Sequence, residues 1–348
     1  MKHILFCISL LLTFKASAQI KNLMNDPKIG WIAQGSTDIG FDVISYESMK
    51  SLEEMRAYYP RPADIIKLEE IKSEFKSDGY HHFAKIFLDA IYNKKVKIYS
   101  DSTCSKEIDI LSLNTDTIEI IDPITLEKTW KVVLNKFEPE QCVLFRVFQT
   151  FIYKPEKGVW EVRTESIAPV FLKATNYGVI SLKPIFWVKA GTNKRTSDKN
   201  VNWKVRAQTN LWLNHNANVL KKINDEMPLV HFVNYFEENN KIPFYSVEKG
   251  WNSKERITDS EKSNLFKVRI DSSEGIDPET FKPKVYETFH IVDSESVRGI
   301  RFVQEWHWDK SKNSISSKLV AIAPMLEHTD AYGSYLFAAP LFYRRLGE

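Results

Sequence analysis

The chain has 348 residues, and its 48 Lys and Arg are nearly balanced by 45 Asp and Glu. The two signs are mixed along its length, so there is no basic stripe of the kind that nucleic-acid binding needs. Aromatic residues make up 13% of the chain, material for a core or for an interface.

The N-terminal stretch MKHILFCISLLLTFKASAQ places Lys2 and His3 before an apolar run from Ile4 to Phe14, followed by Ala16, Ser17 and Ala18. This is the layout of a secretory signal peptide over residues 1–18, cleaved after Ala18. The apolar run is too short to span a bilayer, which takes about 20 residues, and no later segment is long and apolar enough to do so. Export as a soluble protein is therefore expected. Cys7 lies within the leader, leaving Cys104 and Cys142. In an oxidising compartment these can pair. The loop of 142 − 104 = 38 positions would then contribute up to roughly 4 kcal/mol. Two separate buried thiols are the equal alternative.

Residues 19–78 form an N-terminal lead, in which Asp64 can cap a helix running through Ile65, Leu68 and Ile71. A first unit is expected over 79–190. Phe83, Ile86, Phe87 and Ala90 follow the i, i+3, i+4, i+7 spacing of one helix face. NKKVKIYS then supplies a turn and a strand. After a variable insert, VLFRVFQTFIY and VWEVRTESIA form a hairpin about KPEKG, and an aromatic tail, PIFW, follows. Residues 191–226 begin AGTNKRTSDKN and suit a polar connector. A second unit is expected over 227–348. Leu229, Phe232, Val233 and Phe236 repeat the helix face, and NNKIPFYS repeats the strand. IRFVQEWHW and SISSKLVAIA make a hairpin about DKSKN, and PLFY repeats the tail. Segment 252–282 is charged, with DSSEGIDPETFKP as a loop.

Setting the Ile-Ala-Pro tripeptides in register gives an offset of 322 − 167 = 155, with 8 identities over the 33 ungapped positions 146–178. Chance would give about 2. Among the identities are Arg146 with Arg301 and Gln149 with Gln304. The helix–strand segments align at 245 − 99 = 146. Two segments recurring in order point to an internal repeat. The expected fold is α+β, with two related helix–strand–β-hairpin units and antiparallel sheet. Pro169 and Pro324 lack an amide hydrogen and are expected to end strands or mark an edge.

Chemistry is sparse. There are 12 glycines and no Gly-rich phosphate loop, no nucleophile elbow and no paired-His zinc motif. His81 and His82 are adjacent, so on a helix they diverge, and His307 has Ile152 as its partner at the 155 offset. Glu161, Glu165 and Glu305 have Ser316, Val320 and Thr150 as partners, which is not how a duplicated carboxylate pair would look. Neither catalytic residues, cofactor nor metal is expected, and the protein is not expected to be an enzyme. Trp306, Trp308, Phe186, Trp187, Phe342 and Tyr343 are the candidate interaction surface, with core packing as the plainer alternative.

HHFAKIFLDAIYNKKVKIYSD resembles the helix–strand segment of the gliding motility protein GldN family, also called PorN. FQTFIYKPEKGVWEVRTESIAPVF resembles its aromatic strand, basic turn and return strand ending in Ile-Ala-Pro. PIFWV and MPLVHFVNYFEENNKIPFYSVEKGW resemble its following segments, co-linear over about residues 80–260. The second hairpin beyond 283 and the long connector depart from the pattern. The resemblance implies a non-enzymatic periplasmic assembly component of the type IX secretion and gliding machinery. Its partners would be an outer-membrane lipoprotein in a ring-like complex and the periplasmic part of the motor module. Self-association is allowed, with no nucleic acid and no direct membrane span. A periplasmic module binding a peptide or glycan through Trp306 and Trp308 is the alternative.

Overall fold

The computed structural model describes residues 20–40, 82–174, 180–191, 200–212, 217–222, 243–329 and 335–346, apart from 114, 122, 124, 126, 135, 140–141, 248–249, 266–268, 278–279 and 291–296. The leader, the helix expected after Asp64 and the helix expected over 229–236 lie outside these residues.

Runs rich in β-branched and aromatic residues form two long hairpins. In the first, β6 (Cys142–Lys154) returns as β7 (Val159–Ala174); in the second, β14 (Val297–Asp309) returns as β15 (Ser314–Thr329). Each turn contains a left-handed residue, Gly158 at φ 53 and Asn313 at φ 47, the two residue types that adopt this conformation most readily. A third strand flanks each hairpin: β1 (Trp31–Ile39) lies antiparallel to β6, and β10 (Val201–Trp212) antiparallel to β14. The first sheet continues through β9 (Trp187–Lys189) to β2 (Ile98–Tyr99) and β3 (Glu107–Ile108), with β8 (Ile180–Pro184) also on β7. The second carries β16 (Tyr335–Pro340) and β17 (Arg344–Arg345) on β15. β11 (Ala217–Lys221) crosses from the second half to pair with β1.

Two further hairpins pair with no other strand among the described residues. They are β4 (Thr115–Ile121) with β5 (Lys128–Leu134), and β12 (Arg269–Ile276) with β13 (Pro283–His290). The described helices include α1 (His82–Tyr92) and α2 (Asp259–Leu265).

The fold is thus mostly β, in several antiparallel sheets, and the expected α+β class is wrong. The error has a physical cause. β10 alternates in burial along VNWKVRAQTNLW, so a half-buried strand has the composition of a polar connector. The hairpins β4–β5 and β12–β13, called arms below, are rich in charged residues, so they look like loop. Only α1, with its apolar face, gave a helix signal that the described structure carries.

The strands of the two halves coincide at the sequence offset. Phe148 pairs with Ser166 and Gln149 with Thr164, which leaves Glu165 as an extra residue on β7. Val303 pairs with Ala321 and Gln304 with Leu319, which leaves Val320 at the same place on β15. The carbonyls of these bulge residues accept from Ala190 N at 2.9 Å and Leu346 N at 2.8 Å. The exposed hairpins coincide too. Ile121 pairs with Lys128 as Ile276 pairs with Pro283, again 155 apart. Residues 115–134 and 270–289 share 6 of 20 positions, including Asp-Pro at 122–123 and 277–278, a likeness hidden in a stretch that looked variable.

Pro169 and Pro324 do not end their strands, contrary to expectation. β9 pairs with Ser166 and Ile167, and β8 takes over from Val170 onward. β17 pairs with Ala321 and Ile322, and β16 takes over from Met325. Each proline sits in the gap between two partners, where no ladder bond needs its missing N–H.

The two sheets pack face to face. In the first sheet Phe145, Val147, Gln149, Phe151 and Tyr153 share one face, and in the second Ile300, Phe302, Gln304, Trp306 and Trp308 do. One core joins Phe145 and Val147 to Trp306, Trp308 and Ile315, under Phe83 and Phe87 of α1. The other joins Ile300 and Phe302 to Phe151, Tyr153 and Trp160. Adding 155 to Phe145 and Val147 of the first core gives Ile300 and Phe302 of the second, and adding it to Phe151, Tyr153 and Trp160 of the second gives Trp306, Trp308 and Ile315 of the first, as a local two-fold axis between the sheets requires. Gln149 and Gln304 meet between the two cores.

Close packing also decides where glycine is needed. A β-carbon on Gly299 would lie 2.6 Å from Trp212 Cε3 and 2.9 Å from Leu211 O. Gly299→Ala is expected to destabilise the protein by about 1–3 kcal/mol, read as a lower urea midpoint. Adding Trp212→Leu should restore part of the loss.

Candidate interaction surfaces

The six aromatic candidates are all buried. Trp306 (0% exposed), Trp308 (2%) and Phe186 (0%) belong to the first core, where Phe83 stacks on Trp203 at 4.1 Å. Phe342 stacks on Phe244 at 4.0 Å in the second core. Tyr343 packs with Tyr245 and Trp251, and Trp187 is buried on β9. They hold the sheets together and offer no open groove. The expectation of an aromatic interaction surface on these residues does not fit the structure, because alternation that gathers large rings on one face also seals that face against the opposite sheet.

Polar side chains concentrate between the cores. Gln149 Nε2 donates to Gln304 Oε1 at 3.2 Å and to Thr164 Oγ1 at 3.1 Å. Gln304 Nε2 donates to Ser317 Oγ at 3.0 Å, and the Thr164 and Ser317 hydroxyls are 2.9 Å apart. On the outer face Arg146 forks onto Asp38 at 2.6 and 2.7 Å, and at the equivalent place Arg301 Nε donates to Asn210 Oδ1 at 3.0 Å. A buried hydrogen-bonded network of this kind fixes the relative placement of the sheets, though Gln149 Oε1 has no partner among the described residues.

Two of the three carboxylates weighed for chemistry, Glu161 and Glu305, are held by cations. Burial opposes ionisation of Glu161, but bonds from Arg163 and Lys154 outweigh it and lower its pKa. Glu305 is lowered in the same way, with Lys204 and Arg206 overcoming burial. Glu165 accepts from Thr150 at 2.9 Å, and His307 Nε2 lies 2.7 Å from Ser316 Oγ. Among the described residues no group of three His, Cys, Asp or Glu side chains is placed to hold a metal.

Two turn carboxylates are strongly acidic. Burial would raise Asp309, yet bonds from Ser311 and Lys312 hold it at about 2, and Asp101 is held at about 2 against burial by Thr103, Ser105 and Lys106. A carboxyl lowered on folding stabilises the native state above its ordinary value of 3.8, and the contribution is lost as pH falls through the folded value. Asp309→Asn should therefore melt lower near neutrality and decline less than the parent between the two values, as thermal melts across the acid range will measure.

Cys104 and Cys142 are separate thiols. Cys142 is buried against the first core, and burial, then the Asp101 charge, pushes Cys104 up to about 12, so it is a poor nucleophile.

Among the described residues, six of the eight large apolar side chains that are exposed lie instead on the two hairpins that pair with neither sheet. In the first, Ile121 is 51% and Trp130 67% exposed. In the second, Ile276 is 67%, Val285 58% and Phe281 81% exposed. Glu119 pairs with Trp130 and Ile121 with Lys128, so Ile121 and Trp130 are diagonal neighbours on one face; Ile276 and Val285 are related in the same way. This repeated apolar pair was missed in the sequence, where the shared Asp-Pro-x-Thr turn was the available signal.

Residues 54–190 match the model of the family described as gliding motility associated protein GldN. That stretch, 137 of the 348 residues, is similar to the family. The match runs through α1 to the end of β9, the helix, strand, arm and hairpin of the first half, and stops where the second half begins. The similarity points to a gliding-motility-associated component. No curated protein matches the chain. Among the described residues no helix is long and apolar enough to cross a membrane.

Proposed function

We propose that the protein is a non-enzymatic structural component of the type IX secretion and gliding machinery, exported to the periplasm. It would associate with the outer membrane through a lipoprotein partner, in a ring-like complex that meets the periplasmic part of the motor module. The observation that carries this is the family match over 54–190. It is supported by the placing of most of the described large exposed apolar groups on two hairpins outside both sheets, as suits a protein that acts by contact. Deletion should abolish gliding and secretion, and a pull-down from native envelope should recover a lipoprotein. Normal secretion in the deletion strain, with a lone chain in the pull-down, would sink the proposal.

We also propose that the chain is a tandem duplication, with units at 20–190 and 191–346. The common bulges, turns and hairpin registers at one offset support it. The units begin earlier than the helices because β1 and β10 belong to them: Trp31 and Thr37 stand where Trp203 and Thr209 do, each pairing with its own half's hairpin. An experimental structure tests this, since one half must superpose on the other by a half-turn.

A further inference from the structure

The outer faces of the two sheets differ in kind at one equivalent place. On the first sheet Ile32 pairs with Ile152, and both are buried under Leu23, Ile29 and Leu220. The equivalents on the second sheet are Lys204 and His307, paired in the same way. A covered apolar pair has become a polar one, with 55% of the Lys204 side chain exposed.

Cations gather around that pair. Glu305 is 2.9 Å from Lys204 and 3.1 Å from Arg206, and it lies beneath both, with only 17% of its side chain exposed. Opposite it on β15 Lys318 is exposed and has no ion-pair partner among the described residues. The hairpin turn adds Lys310 and Lys312 beside the buried Asp309. Trp251, which Arg206 covers at 5.2 Å, brings the exposed Lys254, Glu255 and Arg256. No further Asp or Glu lies on β10, on β14, or on β15 before Glu327 at its far end. The balance of these groups is 7 − 3 = +4, more than the formal +3 of the whole chain.

The side chains decide what such a face can hold. None of the described large apolar side chains that are exposed lies on it, so it lacks the buried anchor on which a protein interface depends. Long cationic side chains on a broad sheet suit another broad, charged surface. Each Lys or Arg near an anionic bilayer adds attraction without any apolar group entering the lipid.

We infer that this end of the second sheet lies on an anionic phospholipid surface, with Lys204, Arg206, Lys310 and Lys318 against the headgroup phosphates. The contact is peripheral and electrostatic, so salt weakens it. It rests on the reading that the protein works beside the outer membrane, and it gives the chain a hold there that is independent of a lipoprotein.

The purified mature chain is sedimented with vesicles of phosphatidylcholine, alone or mixed with phosphatidylglycerol, at low and at high salt. It should bind the mixed vesicles, and at low salt only. Lys310→Gln with Lys318→Gln should lower that partition by about 25-fold, roughly fivefold per lysine, with the melting temperature unchanged. Lys106→Gln with Lys131→Gln removes the same charge from exposed positions of the first half and should leave the partition nearly unchanged. Binding to neither vesicle, equal binding to both, indifference to salt, or equal loss in the two double variants overturns the inference. Retention on heparin or polyglutamate without binding to vesicles overturns it as well, since the occupant is then a soluble polyanion. A chain that ignores vesicles leaves the assembly role standing, because secretion and gliding in the deletion strain test that role separately.

Discussion

Expressed separately, residues 20–190 and 191–348 are each expected to fail to fold, and to recover a soluble complex when expressed together. Each core is shared. The first needs Trp203, Trp306, Trp308 and Ile315 from the second half to cover Phe83, Phe87 and Phe145. The second needs Trp31, Phe151, Tyr153 and Trp160 from the first half to cover Ile300 and Phe302. Separating them bares both inner faces, and fully burying one such large side chain is worth about 1.5–3 kcal/mol. A loss summed over that many rings exceeds the whole stability of a domain, about 5–15 kcal/mol. β11 adds to the dependence, because it comes from the second half and completes the edge of the first sheet beside β1. Solubility, circular dichroism and co-purification of tagged halves will decide. A half that is soluble and melts cooperatively alone would refute the shared-core arrangement.

The second large effect is expected at Trp306. Truncation to Ala removes a fully buried indole, and buried Trp or Phe to Ala costs about 3–5 kcal/mol. For a chain of this size that lowers the melting temperature by about 5–15 °C. Phe151, its equivalent across the local two-fold axis, is 0% exposed and packs on Phe302 at 5.1 Å, so Phe151→Ala should cost a similar amount. Trp130→Ser, on an exposed arm, should cost almost nothing. Calorimetry of the three variants gives the ordering. A Trp306→Ala protein that melts like the parent would mean that the indole is not where the two sheets meet.

Much of this was legible in the residues. The hairpins, the position of α1 and the offset of 155 follow from alternation, helical spacing and identity, which are local signals. The family was legible from the helix–strand and hairpin segments. The mostly β class was not. β1 and β10 alternate polar with apolar residues, and a strand buried on one face resembles a connector until its neighbour is known. The arms escaped for a related reason, since exposed strands need few apolar residues. The aromatic cluster was located correctly in the chain but not in space: Trp306 and Trp308 do share a face, and that face is covered by the opposite sheet.

By itself, the sequence determined the two long hairpins and the placing of α1 and β2 ahead of the first of them, because turn residues and side-chain period act over a few positions. Only the tertiary structure decided what those elements face. Whether a ring is core or surface, whether Pro169 ends a strand or bridges two partners, and whether Gln149 meets solvent or Gln304 all depend on contacts between residues far apart in the chain. The pairing of Gln149 with Gln304 spans 155 positions, and no local pattern encodes a distance across space.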